Sequence, residues 1–256
     1  MSYKAEYLPT KSWVKDGTLH RAFFEYDEDV YEHVRDFDCC LSTIVNASRY
    51  CLGGENDEKV SDIEDWLIAK TGINEDWYWK NHKRYGGIMG LVEKFKKQCV
   101  AFEFLSVYDH SGITVSCGLS SGWDYSNVGF VYVAKDNEEV KAYRKGHTLK
   151  ETTEWAMGIL HDEIHTLDDY VRGNVYCLIH EIYDEELEEW EVQDTLSSIY
   201  LTSDTREEEE KYALEYITEY SGKCKLFEWD VAEDAIEHNS LDILNGQQTF
   251  SFEEIA

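Results

Sequence analysis

Three β-rich segments follow one another closely in the middle of the chain, and this arrangement constrains the fold more than any other feature. Phe102 to Tyr108, Ile113 to Cys117 and Val128 to Val133 are rich in β-branched and aromatic residues, and glycines and serines lie between them. Connections this short join antiparallel strands, because a parallel pair needs a crossover of a dozen or more residues. We therefore expect an antiparallel sheet rather than a doubly wound parallel one.

The remaining sequence predicts more strands and several helices. Further strand-like runs are Asn174 to Tyr183 and Trp190 to Leu201, with weaker candidates at His20 to Tyr26, Leu41 to Asn46 and Lys225 to Trp229. Apolar residues at helical spacing predict helices that stop at Gly72, Gly173 and Gly222, and one more over Ile88 to Phe95. The fold class is therefore α+β, an antiparallel sheet packed with several helices and an acidic C-terminal part.

The length suits one compact domain over residues 1–256. The alternative is an α+β core over residues 1–203 followed by an acidic helical region over residues 204–256. The chain contains no apolar run of the roughly eighteen residues that a membrane span needs, and its N-terminus lacks a secretory signal. Seven cysteines without a CxxC spacing indicate reduced thiols. We expect a cytoplasmic protein without membrane contact.

Charge is distributed unevenly along the chain. The net charge is −29; residues 1–150 carry 24 acidic and 19 basic residues, whereas residues 151–256 carry 29 acidic and only 5 basic residues. Such an excess repels nucleic acid and anionic membranes and attracts basic surfaces. Direct nucleic-acid binding is therefore not expected, and the predicted partner is a basic host protein or ribonucleoprotein complex.

Two runs of acidic residues are the candidate contact surface. One run lies between two strand-like segments, and the other forms the first turn of a helix that Thr205 is expected to cap, where the helix dipole favours anions. Tyr183 and the Trp77-Tyr78-Trp79 segment are candidate aromatic anchors of a protein interface. The predicted partner-binding residues are Asp184, Glu185, Glu186, Glu188, Glu189 and Glu191, together with Glu207, Glu208, Glu209 and Glu210.

An Asp-His-Ser sequence at Asp109, His110 and Ser111 resembles a hydrolase triad in composition. A triad needs three converging side chains, which consecutive residues do not provide, so a turn in which Asp109 bonds its own backbone is the preferred interpretation. The glycine-rich loop that follows could still line a ligand site. The residues of this candidate hairpin site are Tyr108, Asp109, His110, Ser111, Trp123 and Asp124.

A second chemical pattern is HDEIH, over His161 to His165. Two histidines four residues apart bind zinc in HExxH peptidases, where a glutamate after the first histidine is the general base. Asp162 stands at that position here, and a third ligand is not evident. We therefore predict no metal, no cofactor and no catalytic residues.

Residues Tyr108 to Thr114 read YDHSGIT, and Val128 to Val133 read VGFVYV. In these segments the chain resembles a family of small uncharacterised proteins encoded by phages and mobile elements of Gram-positive bacteria. The resemblance covers Tyr108 to Tyr176 and departs from the family pattern in the Gly118 to Gly122 loop and at Leu167. It implies a phage context and carries no settled activity. The matching residues are Tyr108 to Thr114 (YDHSGIT), Trp123, Asp124, Val128 to Val133 (VGFVYV), Asp168, Tyr170, Gly173, Val175 and Tyr176.

Together these features predict an accessory phage protein that disables a host nucleic-acid-targeting defence complex, as anti-CRISPR and antirestriction proteins do. Its acidic face would mimic nucleic acid and compete for lysines and arginines that otherwise bind phosphates. The alternative is a metal-dependent hydrolase or nucleotide-binding protein that uses the hairpin from Tyr108 to Asp124.

Overall fold

The protein contains two five-stranded sheets and seven α-helices within the residues that the computed structural model describes. These are residues 4–27, 33–36, 40–110, 112–201, 205–222 and 224–237, without the side chains of 234 and 235. The contacts define two compact units: unit 1 is Met1–Val30 with Gly173–Ala256, and unit 2 is Tyr31–Arg172. The predicted α+β class is confirmed. The single compact domain stays a prediction, and the division does not fall near residue 203.

The elements are numbered along the chain. The strands are β1 (Lys11–Lys15), β2 (Thr18–Tyr26), β3 (Thr43–Asn46), β4 (Glu58–Lys59), β5 (Cys99–Asp109), β6 (Ile113–Cys117), β7 (Tyr125–Ala134), β8 (Tyr176–Asp184), β9 (Glu189–Ile199) and β10 (Phe227–Glu228). The helices are α1 (Ile63–Thr71), α2 (Glu75–Tyr85), α3 (Gly87–Phe95), α4 (Glu138–Arg144), α5 (Leu149–Arg172), α6 (Arg206–Ser221) and α7 (Trp229–Glu237), and a short 3₁₀ helix spans Lys96–Gln98.

The sheet of unit 1 has the order β10-β1-β2-β8-β9, and all of its neighbouring strands are antiparallel. A two-residue turn joins β1 to β2, with positive φ at Asp16 (52°) and Gly17 (84°). Asp-Gly is a preferred pair for this turn, because both positions must adopt left-handed backbone angles. The sequence prediction missed β1, although the Asp-Gly pair could have revealed it.

Unit 1 buries apolar side chains on both faces of its sheet. On one face Trp13, Phe24 and Leu178 belong to the same core cluster as Ala213 and Ile217 of α6. On the other face, a smaller cluster includes Val14, Leu19, Phe227 and Ala232 of α7. The sheet is therefore covered by α6 on one side and by α7 on the other.

The sheet of unit 2 has the order β4-β3-β7-β5-β6, in which only the short β3–β4 pair is parallel. Gly129 of β7 allows the close approach of β3, because a Cβ at this position would lie 1.9 Å from the Val45 carbonyl oxygen. The predicted hairpin of β5 and β6 is confirmed by their antiparallel pairing. β7 pairs with the other side of β5.

The helices of unit 2 follow the apolar stripes in the sequence. Asp62 caps the start of α1 by accepting hydrogen bonds from two backbone N–H groups, and Gly72 ends it in a left-handed conformation. The stripe predicted for α5, which includes Leu160 and Ile164, is buried. None of the helices in the described ranges is long and apolar enough to cross a membrane.

Three helices were not predicted, and one strand was predicted too long. The sequence analysis missed α2, α4 and α7, and it extended the last strand to Trp229, where α7 in fact begins. The exposed surface of α2 is charged, and Trp77 and Trp79 on it are half exposed. Tyr78 is fully buried, so it is not the surface anchor that the sequence predicted.

A buried ion pair organises the loops of unit 2 around β3. Arg35 is 2% exposed, and its Nε and Nη2 atoms donate to the Asp57 carboxylate at 2.6 and 3.0 Å. The same carboxylate accepts the Ile44 N–H at 2.6 Å and the Gly54 N–H at 2.9 Å. Glu163 of α5 lies 3.5 Å from Arg35 Nη1 and accepts the Leu41 N–H at 2.5 Å. One charge cluster thus ties three chain segments together.

We expect Asp57→Asn to lower the free energy of unfolding by about 3–5 kcal/mol, because it removes the carboxylate charge that pairs most closely with the buried Arg35 and leaves only the more distant Glu163. Urea denaturation measures the change. Glu93→Gln removes an exposed ion pair with Lys96 and should cost less than about 1 kcal/mol. Equal losses in the two variants would contradict the structural role of the cluster.

Candidate functional site

The first acidic run forms the turn between β8 and β9. Asp184 ends β8, and its carboxylate accepts hydrogen bonds from the Glu186 and Leu187 N–H groups at 2.8 and 3.1 Å. Glu188 has a positive φ of 56°, which lets the chain reverse into β9. Asp184 is therefore a turn residue that holds the backbone, and its carboxylate is the least available of the run.

The other acids of this run point into solvent. All five are exposed, and none forms an ion pair with a lysine or arginine of the described residues. These carboxylates are therefore accessible to the basic side chains of a partner. We name them the hairpin carboxylates: Glu185, Glu186, Glu188, Glu189 and Glu191.

The second acidic run begins α6, as the sequence predicted. The Thr205 hydroxyl accepts the Glu208 N–H at 3.3 Å, which confirms the N-terminal cap. Glu210 pairs with Arg206 at 3.3 Å, so part of this charge is neutralised within the helix. We name Glu207, Glu208, Glu209 and Glu210 the helix carboxylates.

The two acidic sets do not form one continuous surface. The hairpin carboxylates follow Asp184, at one end of β8. At the other end, the Tyr176 hydroxyl bonds the Tyr7 hydroxyl, and Tyr7 has Glu209 and Arg206 close by. The eight steps from Tyr176 to Asp184 span about 26 Å at 3.3 Å per residue. The single acidic face of the sequence prediction is therefore two separate patches.

The predicted aromatic anchor beside the hairpin carboxylates, Tyr183, is half-buried. Tyr183 packs on Trp190, and Trp190 packs on Trp229 of α7. The Arg21 guanidinium lies 4.1 Å from the Trp190 ring centroid and also pairs with Glu181. Tyr183 thus belongs to an aromatic cluster around an arginine, and its role as an anchor for a partner stays a prediction.

A chain of side-chain hydrogen bonds that the sequence did not predict fixes α6 to the sheet. His20 Nδ1 lies 3.0 Å from His180 Nε2, and His180 Nδ1 lies 3.2 Å from the Tyr220 hydroxyl. This hydroxyl donates to Asp194 of β9 at 2.8 Å. The Trp13 ring lies nearly parallel to both imidazoles, with centroids 5.4 Å away. These residues are far apart in sequence, so this row of hydrogen bonds could be predicted only with knowledge of the strand register.

Burial shifts the pKa values of three side chains that these hydrogen bonds connect. It lowers the pKa of His20, and it lowers the pKa of His180, which the neighbouring His20 lowers further. Burial and the hydrogen bond to Asp194 raise the pKa of Tyr220 to about 12. Both histidines are therefore held in the neutral form, and Tyr220 keeps its proton at neutral pH.

The hairpin of unit 2 holds Asp109 by its side chain. Its Oδ2 accepts hydrogen bonds from the Tyr50 hydroxyl at 2.7 Å and from Arg49 Nη2 at 2.6 Å. These two bonds, the one from Tyr50 first, lower the pKa of Asp109. The prediction that Asp109 bonds its own turn was wrong, because two residues from a distant loop take its carboxylate.

The remaining hairpin residues lie close together at an exposed edge. His110 Nδ1 is 3.8 Å from Asp124 Oδ1, and the Tyr108 ring lies 6.3 Å from the His110 ring. The Trp123 side chain is completely exposed, at 102% of its reference area. Ser111 lies outside the described residues. Since Asp109 is engaged elsewhere, it does not orient His110 as a triad would require.

On α5, helical spacing places Asp168 on the same flank as His161 and His165, but its carboxylate is engaged elsewhere. Asp168 is buried, and its carboxylate accepts the Val115 N–H of β6 at 2.6 Å and an ion pair from Arg172 at 3.3 Å. His161 is exposed. In the described part of the chain, no group of three histidine, cysteine or acidic side chains is arranged to hold a metal ion. Asp168 thus joins α5 to β6.

No protein-family model, curated protein or solved structure matches the chain. The resemblance to phage and mobile-element proteins stays a prediction.

The two histidines predict a loss of stability in mild acid. Because their pKa is lower in the folded protein than the ordinary value of 6.5, the unfolded chain takes up protons first as the pH falls. The free energy of unfolding should be constant with respect to these groups above pH 6.5 and should decrease below it. Denaturation of a His20→Gln, His180→Gln double variant should show a flatter dependence than the wild type, whereas exposed His161→Gln should not. Identical slopes in all three proteins would exclude this coupling.

Proposed function

We propose that the protein is a phage-encoded accessory protein that inhibits a host nucleic-acid-targeting defence complex, of the anti-CRISPR or antirestriction type. It binds the basic surface of that complex through its acidic patches and has no enzymatic activity of its own. The exposure of the hairpin carboxylates, without ion pairs to described lysines or arginines, is the observation that carries the proposal.

Exposed, unpaired carboxylates are suited to this role for an electrostatic reason. A basic nucleic-acid channel gains much of its affinity from phosphate contacts and from the release of counterions. Carboxylates that are already solvated and already close to one another compete for the same lysines and arginines without first breaking internal ion pairs. The helix carboxylates contribute less, because Arg206 and Lys211 supply basic charge within α6.

The setting of the proposed activity is the host bacterial cytoplasm. The resemblance over Tyr108 to Tyr176 supports a phage origin, and the composition supports a partner with a basic surface. Direct binding of DNA or RNA is disfavoured by the net charge of −29.

The test is capture of host proteins by the immobilised chain at low and high salt. We expect a nuclease or RNA-guided complex to bind at low ionic strength and to be released as salt increases, since exposed charges are screened beyond about 8–10 Å. Changing all five hairpin carboxylates to glutamine should abolish capture. A matched set of five exposed acids elsewhere, changed by Glu55→Gln, Glu75→Gln, Glu93→Gln, Glu139→Gln and Glu154→Gln, should leave it unchanged. Capture that does not depend on salt or on either set would contradict the proposal.

The same assay separates the proposal from the hairpin alternative. A metal-dependent hydrolase or nucleotide-binding protein that uses Tyr108 to Asp124 should lose activity in His110→Ala. We expect His110→Ala to capture the partner as the wild type does. Loss of function in His110→Ala with full function in the glutamine variant would favour the alternative.

A further inference from the structure

Among the residues that the structure describes, β9 is the outer strand of its sheet, and it is exposed along most of its length. It pairs with β8 on one side, and the sheet order ends at β9 on the other. Ten of its eleven residues are not buried, and Val192 and Leu196 are 59% and 40% exposed. An edge strand directs the N–H and C=O groups of alternate residues outward, where a strand from another chain can pair with them.

The register with β8 separates acidic from apolar side chains along this edge. Glu189 lies opposite Asp184, and Glu191 lies opposite Ile182. Alternation along β8 places these partners on the face that also carries His180 and is covered by α6. Trp190 and Val192 pair with Tyr183 and Glu181, which lie on the other face. The outer edge therefore offers carboxylates on one face and an apolar row on the other.

One half of β9 is open for pairing and the other half is not. Toward its C-terminal end the Thr195 N–H is held by the Asp194 side chain at 2.9 Å, and the Ser198 N–H is held by Asp27 at 2.9 Å. A bulge at Gln193 separates this half from the first, since Val192 pairs with Glu181 and Asp194 with His180. The open half is residues 189–193.

A second copy of the chain is a poor occupant of this edge. Pairing of two β9 strands would bring carboxylates of the two copies together across the strands, and like charges directly opposite destabilise a sheet. The turn adds three further hairpin carboxylates beside the same edge. The edge therefore disfavours self-association and selects a partner of opposite charge.

We infer that residues 189–193 of β9 accept an added strand from the partner, in which lysine or arginine alternates with an apolar residue. The basic side chains of that strand lie beside Glu189 and Glu191, and its apolar side chains lie beside Trp190 and Val192. This inference rests on the proposed function and specifies how the basic partner is held. Main-chain pairing gives orientation that scattered surface charges alone do not provide.

Two peptides of equal composition test the inference by calorimetry at one fixed salt concentration. One is Lys-Val-Lys-Val-Lys-Val-Lys, and the other carries the same four lysines and three valines as two blocks. We expect the alternating peptide to bind about tenfold more tightly, because two or three main-chain hydrogen bonds and matched side-chain contacts form only in that pattern. Methylation of the backbone nitrogens of alternate peptide residues should remove this advantage when the methylated nitrogens are those that face β9. Methylation of the other alternate set should leave the advantage in place.

Variants of the protein provide the matched control. Glu189→Gln with Glu191→Gln removes two charges from β9, whereas Glu185→Gln with Glu186→Gln removes two from the turn. We expect the β9 pair to reduce binding of the alternating peptide several-fold more than the turn pair, with both variants folded by circular dichroism.

The outcomes distinguish the two proposals. Equal binding of both peptides, no effect of N-methylation, or equal losses in the two variants would overturn strand addition and leave the acidic-surface function standing. Failure of the alternating peptide to bind, while the glutamine changes still abolish partner capture, would also overturn strand addition alone. If partner capture does not depend on any of the hairpin carboxylates, both strand addition and the acidic-surface function are overturned.

Discussion

Pairing of β2 with β8 is the interaction on which unit 1 depends. Seven residues of β2, from His20 to Tyr26, face residues of β8 that lie 150 to 162 positions later in the chain. Closing so long a loop costs conformational entropy, which grows only slowly with length, and the buried side chains Phe24, Tyr176 and Leu178 offset it. Once β8 is in place, its other side positions β9 and the turn that carries the hairpin carboxylates. The acidic hairpin therefore exists as a defined surface only because both ends of the chain meet in one sheet.

Local patterns predicted the elements whose signals lie in adjacent residues. β6 was predicted with its exact bounds, Ile113–Cys117, and α6 was predicted from Arg206 with its stop at Gly222, because a cap, a stripe and a glycine stop are all local. α2 was missed, since its exposed face is highly charged and its buried residue, Tyr78, stands within an aromatic run that also occurs at interfaces. The fold class followed from the strand connections, whereas the division into two units depends on long-range pairing that no local pattern contains.

The candidate site illustrates the same limit at the level of side chains. Exposure of the hairpin carboxylates could be expected from their position in a turn and at the start of the strand that follows it. The Arg49 and Tyr50 bonds to Asp109 could not, since a loop sixty residues away supplies them. Likewise, His20, His180 and Tyr220 show no motif in the sequence, and they meet only because β2, β8 and α6 pack together. Side chains that converge from three elements are invisible until the register is known.

Separation of the acidic patches has a consequence for how charge can act in this protein. The two ends of β8, near which the two patches lie, are about 26 Å apart, and the Debye length at physiological ionic strength is about 8 Å. Each patch therefore acts on a partner independently, and their charges do not add into one field. Within the hairpin the carboxylates are only a few residues apart, so they do reinforce one another. A basic partner that docks at the hairpin therefore interacts with all the hairpin carboxylates without contacting α6. A partner that binds both patches must span the length of β8.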